Sequence, residues 1–213
     1  MENRRPLKVR GNQFVKNIAR WLSQKNITPN QISIASIFCA VFAGLTLVLV
    51  PSFVQENKVV LYIFTIIFIQ LRLLCNLFDG LVAVEGGKST PSGELFNDIP
   101  DRISDPIIIV AMGYAITCVG FGSTLGWLGA LLAVLTAYVR TLISSMGAPT
   151  NFEGPMAKQH RMALITGACT ISAGESYFFH TDYTMLIALI ILNVGCVVTL
   201  YRRVRAGYRF LEN

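Results

Sequence analysis

The chain has 213 residues, of which 53% are hydrophobic and 14% are charged, and its formal net charge at pH 7 is +6. Because roughly a quarter of the residues in a soluble domain are charged, this composition excludes an ordinary soluble domain and indicates an integral membrane protein. The five cysteines show no CxxC spacing, which gives little support to a metal–thiolate site or a disulfide framework.

The first unit, residues 1–26, is a basic segment with seven Lys or Arg. Between residues 13 and 25 its apolar side chains recur at helical spacing, which is typical of an amphipathic helix on an anionic lipid surface. Nucleic acid is the alternative partner for such charge. The apolar stripe and the adjoining spans already explain the pattern, so no nucleic-acid partner is expected. The stripe comprises Phe14, Ile18, Trp21 and Leu22.

The second unit, residues 27–213, is predicted to be one membrane domain, which begins after a chain break at Thr28-Pro29-Asn30. The predicted fold class is an all-α integral membrane protein, with six transmembrane helices preceded by the N-terminal amphipathic surface helix. The fifth span has only about 15 residues and needs neighbouring helices in order to cross. The predicted spans cover residues 32–50, 59–84, 95–120, 124–146, 162–176 and 183–201.

The distribution of basic residues predicts the orientation of these spans. With both termini on one side, 14 of the 18 Lys and Arg fall on that side, whereas the opposite loops hold only Lys58. Because loops rich in Lys and Arg stay in the cytoplasm, we expect both termini to be cytoplasmic. We expect a bacterial inner membrane as the location.

The most informative stretch is residues 76–105, between and within the second and third spans. It holds six of the chain's 12 carboxylates, although the flanking sequence is hydrophobic or basic. Carboxylates at membrane depth are costly and usually face a functional cavity. The six are Asp79, Glu85, Glu94, Asp98, Asp101 and Asp105.

Helical spacing places many of these polar groups on two facing helices. On the second span one face carries Arg72, Asn76, Asp79 and Ala83, and on the third span Asn97, Asp101 and Asp105 are successive i+4 neighbours. Oxygen ligands of this kind select hard cations, so the pattern predicts a site for Mg²⁺ or Mn²⁺. The small residues Gly80, Ala83 and Gly93 would let a ligand approach closely, although small residues also serve helix packing in membranes.

This pattern resembles the signature of the CDP-alcohol phosphotransferase family. That signature reads Asp, two residues, Asp-Gly, two residues, Ala-Arg, about eight residues, Gly, three residues, Asp, three residues, Asp. The spacing here agrees throughout, from Asn76 to Asp101, and Tyr138-Val139-Arg140 and the entry at Ile27 also look like the family's. Three positions depart from it: the first and third aspartates are Asn76 and Asn97, and the arginine is Val84.

The resemblance implies a role for each matching position. In the family the aspartates hold two divalent cations and the last is the proposed base, so Asp79 would be a metal ligand and Asp101 both a ligand and the general base. Asn76 and Asn97 would be weaker, uncharged ligands. Gly80, Ala83 and Gly93 would make room for the cytidine and diphosphate. Arg140, Lys158 and Arg161 are candidates for binding an anionic acceptor, although topology and lipid contacts also explain the latter two.

The resemblance further implies a metal-dependent phosphatidyltransferase of phospholipid biosynthesis. Such an enzyme moves the phosphatidyl group of CDP-diacylglycerol to an alcohol acceptor and releases CMP, and the family also suggests a homodimer among membrane lipids. Two alternatives stay open. Asn76 and Asn97 would suit a catalytically weakened relative that binds CDP-lipid without turnover. A small cation transporter could use the same acidic cavity, but the first and sixth spans have no ionisable residue in their interiors.

Overall fold

The computed structural model of the chain describes residues 13–87 and 92–212. These residues form helices joined by short turns and loops, with no β-strand in either range, so the predicted all-α class is confirmed for the described part. The helices are α1 (Gln13–Gln24), α2 (Pro29–Leu49), α3 (Gln55–Glu85), α4 (Gly93–Tyr114), α5 (Gly122–Ser145), α6 (Lys158–Phe178) and α7 (Tyr183–Leu211), with a 3₁₀ turn at Val50–Ser52.

Four helical stretches within the described ranges are long and apolar enough to cross a membrane. They are Pro29–Ser52, Asn57–Val84, Gly122–Ser145 and Tyr183–Leu211, which correspond to the first, second, fourth and sixth predicted spans. The other two helices, α4 with 22 residues and α6 with 21 residues, have suitable lengths, but each begins with a cluster of charged residues. The six-span arrangement therefore stays a prediction.

The start of α2 shows why the chain turns into a helix where it does. Thr28 is the N-cap: its Oγ1 accepts a hydrogen bond from the Gln31 N–H at 3.3 Å, and the Gln31 Oε1 accepts one from the Thr28 N–H at 3.0 Å. This reciprocal capping box satisfies two backbone donors that the first helical turn leaves without partners. Pro29 at the first helical position loses nothing by lacking an N–H group.

Helices α2 to α7 pack in a closed ring, in the spatial order α2, α3, α6, α7, α5, α4 and back to α2. Glycines allow a close crossing between α4 and α5, where a Cβ atom added to Gly113 would lie 2.8 Å from the Gly126 Cα. Small residues of this kind let membrane helices approach until their backbones touch. The ring leaves α3 and α4 separated along most of their lengths, with polar side chains between them at one end.

Helix α1 packs against α3 near the end of α3. Ala19 is fully buried there in a small apolar cluster with Leu81 and Val82, against which Val15 and Leu22 also pack. Trp21, which belongs to the predicted lipid-facing stripe, is 56% exposed. The helix therefore exists where the pattern predicts it, and its contact with a lipid surface stays a prediction. Residues 1–12 and the side chain of Phe14 lie outside the described part.

A buried ion pair closes the other end of the ring. The Lys58 Nζ donates to the Asp182 Oδ2 at 2.9 Å, and the Thr117 hydroxyl donates to the same oxygen at 3.0 Å. Lys58 thus joins the start of α3 to the turn between α6 and α7. It lies roughly 30 Å along α3 from Asp79, at a rise of about 1.5 Å per residue. The one basic residue assigned by sequence to the opposite side is a buried structural group.

Membrane orientation can be tested at the two ends of α3. In a variant without native cysteines, Asn57→Cys and Lys88→Cys should react with an impermeant maleimide from opposite sides, because the excess of basic residues keeps the Lys88 side in the cytoplasm. Intact cells should label only Asn57→Cys, and permeabilised cells should label both. Labelling of both positions in intact cells would contradict this orientation.

Candidate functional site

A cavity of 620 Å³ opens between α3, α4, α5, α6 and α7. It is the place where the two predicted polar helix faces meet. Eight residues with a predicted site role line it, together with Asp105. The eight are Asn76, Asp79, Gly80, Asn97, Asp101, Arg140, Lys158 and Arg161. Of the described residues with a predicted site role, Ala83 and Gly93 do not line the cavity. Most residues with a predicted site role therefore lie around one cavity, and their roles stay predictions.

Asp101 is the residue on which three helices converge. Its Oδ1 accepts hydrogen bonds from the Asn76 Nδ2 at 3.1 Å and from the Arg72 Nη2 at 3.2 Å, both on α3. Its Oδ2 pairs with the Lys158 ammonium at the start of α6. The carboxylate is 17% exposed and lines the cavity, with two donors on one oxygen and the partly exposed Lys158 ammonium on the other.

Asp79 lies on the opposite wall, against α2. Its Oδ2 accepts a hydrogen bond from the Ser33 hydroxyl at 2.8 Å, and its Oδ1 accepts one from the Gly80 N–H at 2.5 Å. Neither of these two donors is charged, and Asp79 is only 4% exposed. Ser33 was hard to recognise from the sequence, where it is one of two serines near the start of a mainly apolar span.

Asp105 lies deeper and is held by two arginines. The Arg72 Nη2 donates to its Oδ1 at 2.6 Å, and the Arg161 Nη2 donates to its Oδ2 at 2.6 Å. The Arg161 Nη1 also donates to the Met156 carbonyl at 2.9 Å. Both oxygens of Asp105 are therefore occupied, and the side chain joins α3, α4 and α6. Spacing alone placed Arg72 and Asp105 on suitable faces but did not pair them.

The remaining wall of the cavity is basic and partly exposed. The Arg140 guanidinium lies 5.5 Å from the centre of the Phe152 ring, and its Nη2 is 3.4 Å from an Asp98 oxygen. The Lys158 side chain is 30% exposed. Asn97 lies on the exposed rim of the cavity. The cavity thus presents carboxylates together with partly exposed cations, groups that can bind phosphate directly or through a cation.

Arg203 is a site residue that the charge count assigned only to topology. It is 5% exposed, and it donates to the Glu153 carbonyl at 3.1 Å and to the Thr136 carbonyl at 2.6 Å. These bonds fix the loop between α5 and α6, which carries Phe152 and leads into Lys158. The sequence could have indicated that Arg203 is buried, because it follows Thr199 by one helical turn and so shares its face of α7.

The four signature positions carry oxygen ligands of the kind that hard cations accept. Asp79 and Asp101 carry carboxylates, and Asn76 and Asn97 carry neutral amide oxygens. Within residues 13–87 and 92–212 no group of three or more His, Cys, Asp or Glu side chains is arranged to hold a metal ion.

The bundle is a helical protein with four helices long and apolar enough to cross a membrane among the described residues, and its cavity is lined by charged and polar side chains. The family model described as CDP-alcohol phosphatidyltransferase matches residues 26–201, and the chain therefore belongs to this transferase family of phospholipid biosynthesis.

Two relatives show how the family likeness extends along the chain. Inner membrane protein YnbA of Escherichia coli (strain K12) is 26% identical over 147 residues, which cover 69% of this chain and 68% of that protein. Phosphatidylinositol phosphate synthase of Mycolicibacterium smegmatis is 24% identical over 194 residues, which cover 89% of this chain and 81% of the synthase.

Solved structures of a related synthase support the fold. Mycobacterium tuberculosis phosphatidylinositol phosphate synthase (PgsA1) with CDP-DAG bound has a TM-score of 0.74 at 18% identity, and the match covers 92% of this chain and 94% of that one. The same synthase in complex with manganese and citrate has a TM-score of 0.73 at 19% identity, with coverages of 91% and 88%. At this identity the likeness shows a common fold.

The donor set predicts that a divalent cation stabilises the detergent-solubilised protein. Mn²⁺ or Mg²⁺ should raise the unfolding temperature progressively, since an ion at about 100 times its Kd adds about 2.7 kcal/mol to the free energy of unfolding. Asp79→Ala and Asp101→Ala should each abolish the shift relative to the same variant without metal.

Asp98→Asn provides the matched control for this measurement. Asp98 lines the same cavity but occupies no signature position, so its variant should keep the shift. An undiminished shift in both the Asp79 and Asp101 variants would place the cation elsewhere.

Proposed function

We propose that this chain is a phosphatidyltransferase that moves the phosphatidyl group of CDP-diacylglycerol to an alcohol acceptor and releases CMP. The observation that carries the proposal is the position of Asp101. This cavity-lining carboxylate accepts hydrogen bonds from Arg72 and Asn76 on one oxygen and pairs with the partly exposed Lys158 through the other. The family supplies the reaction class, and the cavity supplies groups for each part of it.

Asp101 is the proposed general base. It would accept the proton of the acceptor hydroxyl as the alcohol oxygen attacks the lipid-side phosphorus. The new P–O bond forms while the P–O bond to CMP breaks, and CMP leaves with the bonding electrons. Arg72 and Asn76 hold the Oδ1 in place, so the Oδ2 is the reacting atom once the Lys158 ammonium turns toward a substrate phosphate.

Mg²⁺ or Mn²⁺ would be held by Asp79 and Asp101, with Asn76 and Asn97 as neutral ligands, and would stabilise the phosphate charge and the departing CMP. Gly80 lines the cavity and would let the diphosphate approach the α3 backbone. Ala83 and Gly93 lie off the cavity wall, so we propose that they make room for the cytidine at its margin.

We propose that the acceptor carries an anionic group, such as a sugar phosphate or glycerol phosphate. Arg140 and Lys158 would bind it directly, because both line the cavity and are partly exposed. Arg161 would support them from behind while bound to Asp105 and the Met156 carbonyl. A related protein of Mycolicibacterium smegmatis is a phosphatidylinositol phosphate synthase, which supports a phosphorylated acceptor here.

The proposed setting is a bacterial inner membrane, with both termini in the cytoplasm. Residues 1–26 would form a juxtamembrane unit on the lipid surface, and residues 27–213 a six-span domain in which α4 and α6 cross as well. The cavity would then open to the cytoplasm. We also propose a homodimer, as the family resemblance suggests.

A second candidate function is supported by the two amides at Asn76 and Asn97. A catalytically weakened relative would bind CDP-lipid in the same cavity without completing the transfer. We favour the active enzyme, because Asn76 donates to Asp101 and so has a defined function as an amide. An eroded position would have no such partner.

Turnover should depend on Asp101. Asp101→Asn should reduce product by about 10²- to 10⁴-fold or more, because the variant loses a positioned base and a charged metal ligand. The measurement is CMP release and lipid product from purified protein given CDP-diacylglycerol, Mn²⁺ or Mg²⁺ and a panel of alcohols. Asp98→Asn, at the same cavity, should keep most of the activity.

The double variant Asn76→Asp with Asn97→Asp separates the two candidate functions. An adapted enzyme should stay at its original activity or lose some, since an aspartate at position 76 would replace a donor to Asp101 with a repelling acceptor. Absence of wild-type product with every alcohol, together with a strong gain in the double variant, would establish the weakened relative instead.

A further inference from the structure

Arg72 is a buried cation inside the acidic face of α3. It lies one helical turn before Asn76, and its side chain is 0% exposed. Burying a guanidinium is costly unless carboxylates and hydrogen bonds compensate it. Here both compensating groups, Asp101 and Asp105, belong to α4. The position of this cation is therefore tied to the site.

The hydrogen bonds of Arg72 are concentrated on a single nitrogen. Its Nη2 contacts Asp105 at 2.6 Å and Asp101 at 3.2 Å, whereas its Nε and Nη1 are buried without a hydrogen-bond partner in the described part of the chain. A guanidinium that served only to join helices would use its several donors more fully. Arg72 instead contacts both carboxylates through its Nη2 atom alone.

Arg72, Lys158 and Arg161 are paired with Asp101 and Asp105 in one connected group. Asp79 adds a third carboxylate at the cavity, bonded to Ser33, so the formal charges of these six groups sum to zero. Lys158 is 30% exposed, whereas Arg72 is fully buried. A CDP-linked donor would bring two diphosphate charges, which one divalent cation neutralises. A second divalent cation would leave an excess of positive charge.

The amide at Asn76 fits this arrangement. Its Nδ2 and the Arg72 Nη2 both donate to the Asp101 Oδ1. A carboxylate at position 76 would accept instead of donate, and Arg72, one turn away, would be its nearest cation. Arg72 and Asn76 therefore form a matched pair on one face of α3.

We propose that Arg72 is a permanent cation of the active site, which takes the place of a second metal ion and restricts the site to one divalent cation. The proposal rests on the proposed function, since it takes the cavity to be the site of phosphoryl transfer. Arg72 would act as a positioning residue that keeps Asp101 charged and oriented, while the one exchangeable cation binds at Asp79 and Asp101.

The test counts Mn²⁺ bound per full-length chain in detergent, from the electron paramagnetic resonance signal of free Mn²⁺. The wild type should bind one ion, and Asn76→Asp with Asn97→Asp should still bind one, because Arg72 would pair with the new carboxylate. Adding Arg72→Met to that double variant should raise the count to two. Arg72→Met alone should tighten the first ion about tenfold or more, by removing a like charge.

Two controls separate charge from folding. Arg102→Met removes an arginine that pairs with Asp98 on the same cavity, and it should leave the count and the affinity unchanged. Arg72→Lys keeps the charge and should keep one ion with wild-type affinity. If the Arg72→Met variant fails to fold, the double variant Arg72→Met with Asp105→Asn is used in its place. It removes both members of the buried ion pair and so leaves neither charge without its partner.

Two ions or none in the wild type would overturn the proposal, and so would a single ion in the variant with all three changes. CMP release is measured on the same samples. One Mn²⁺ per wild-type chain without any product would contradict the proposed function while supporting the assignment of Arg72.

Discussion

The contact between Arg72 and Asp105 is the interaction on which the site depends. Helices α3 and α4 both pack against α2 but make little direct contact with each other, and Arg72 and Asp105 join them across the gap. Arg161 adds α6 to the same carboxylate. Breaking one member of such a buried group typically costs about 3–5 kcal/mol, because the other is left charged without a partner. This group thereby holds Asp101, one turn away on α4, at the wall of the cavity.

The charged groups at the cavity differ in exposure. Asp79 and Asp105 are buried, and so is the Arg72 guanidinium, which bonds to Asp101 and Asp105. Lys158 and Arg140 are partly exposed. The proposed phosphoryl transfer needs charge compensation throughout the reaction and an oriented reacting oxygen. The family provides the fold, and we propose that the amides at Asn76 and Asn97 adapt its charge.

The sequence predicted the helices and the polar faces because both follow from local periodicity. The i+4 spacing of Asn97, Asp101 and Asp105 was enough to place them on one face of α4. Pairing across helices was less accessible: spacing cannot show that Arg72 and Arg161 share Asp105, or that Ser33 donates to Asp79. Hydropathy identifies a membrane span most readily when the helix is apolar along its whole length. Helices α4 and α6 begin with charged residues and are not among the four helices apolar enough to cross a membrane. Lys58 and Arg203 were counted only as evidence for membrane orientation. In the structure each is buried, Lys58 bound to Asp182 and Arg203 to the Thr136 carbonyl.

The most direct measurement is the anomalous scattering of Mn²⁺ in crystals of the wild-type protein grown with CDP-diacylglycerol. The account predicts one manganese peak per chain, in contact with Asp79 and Asp101, with Arg72 still bound to Asp105. It also predicts the diphosphate beside that ion and Lys158 turned toward it. Two manganese peaks at the signature positions, or a single peak away from both aspartates, would contradict the account.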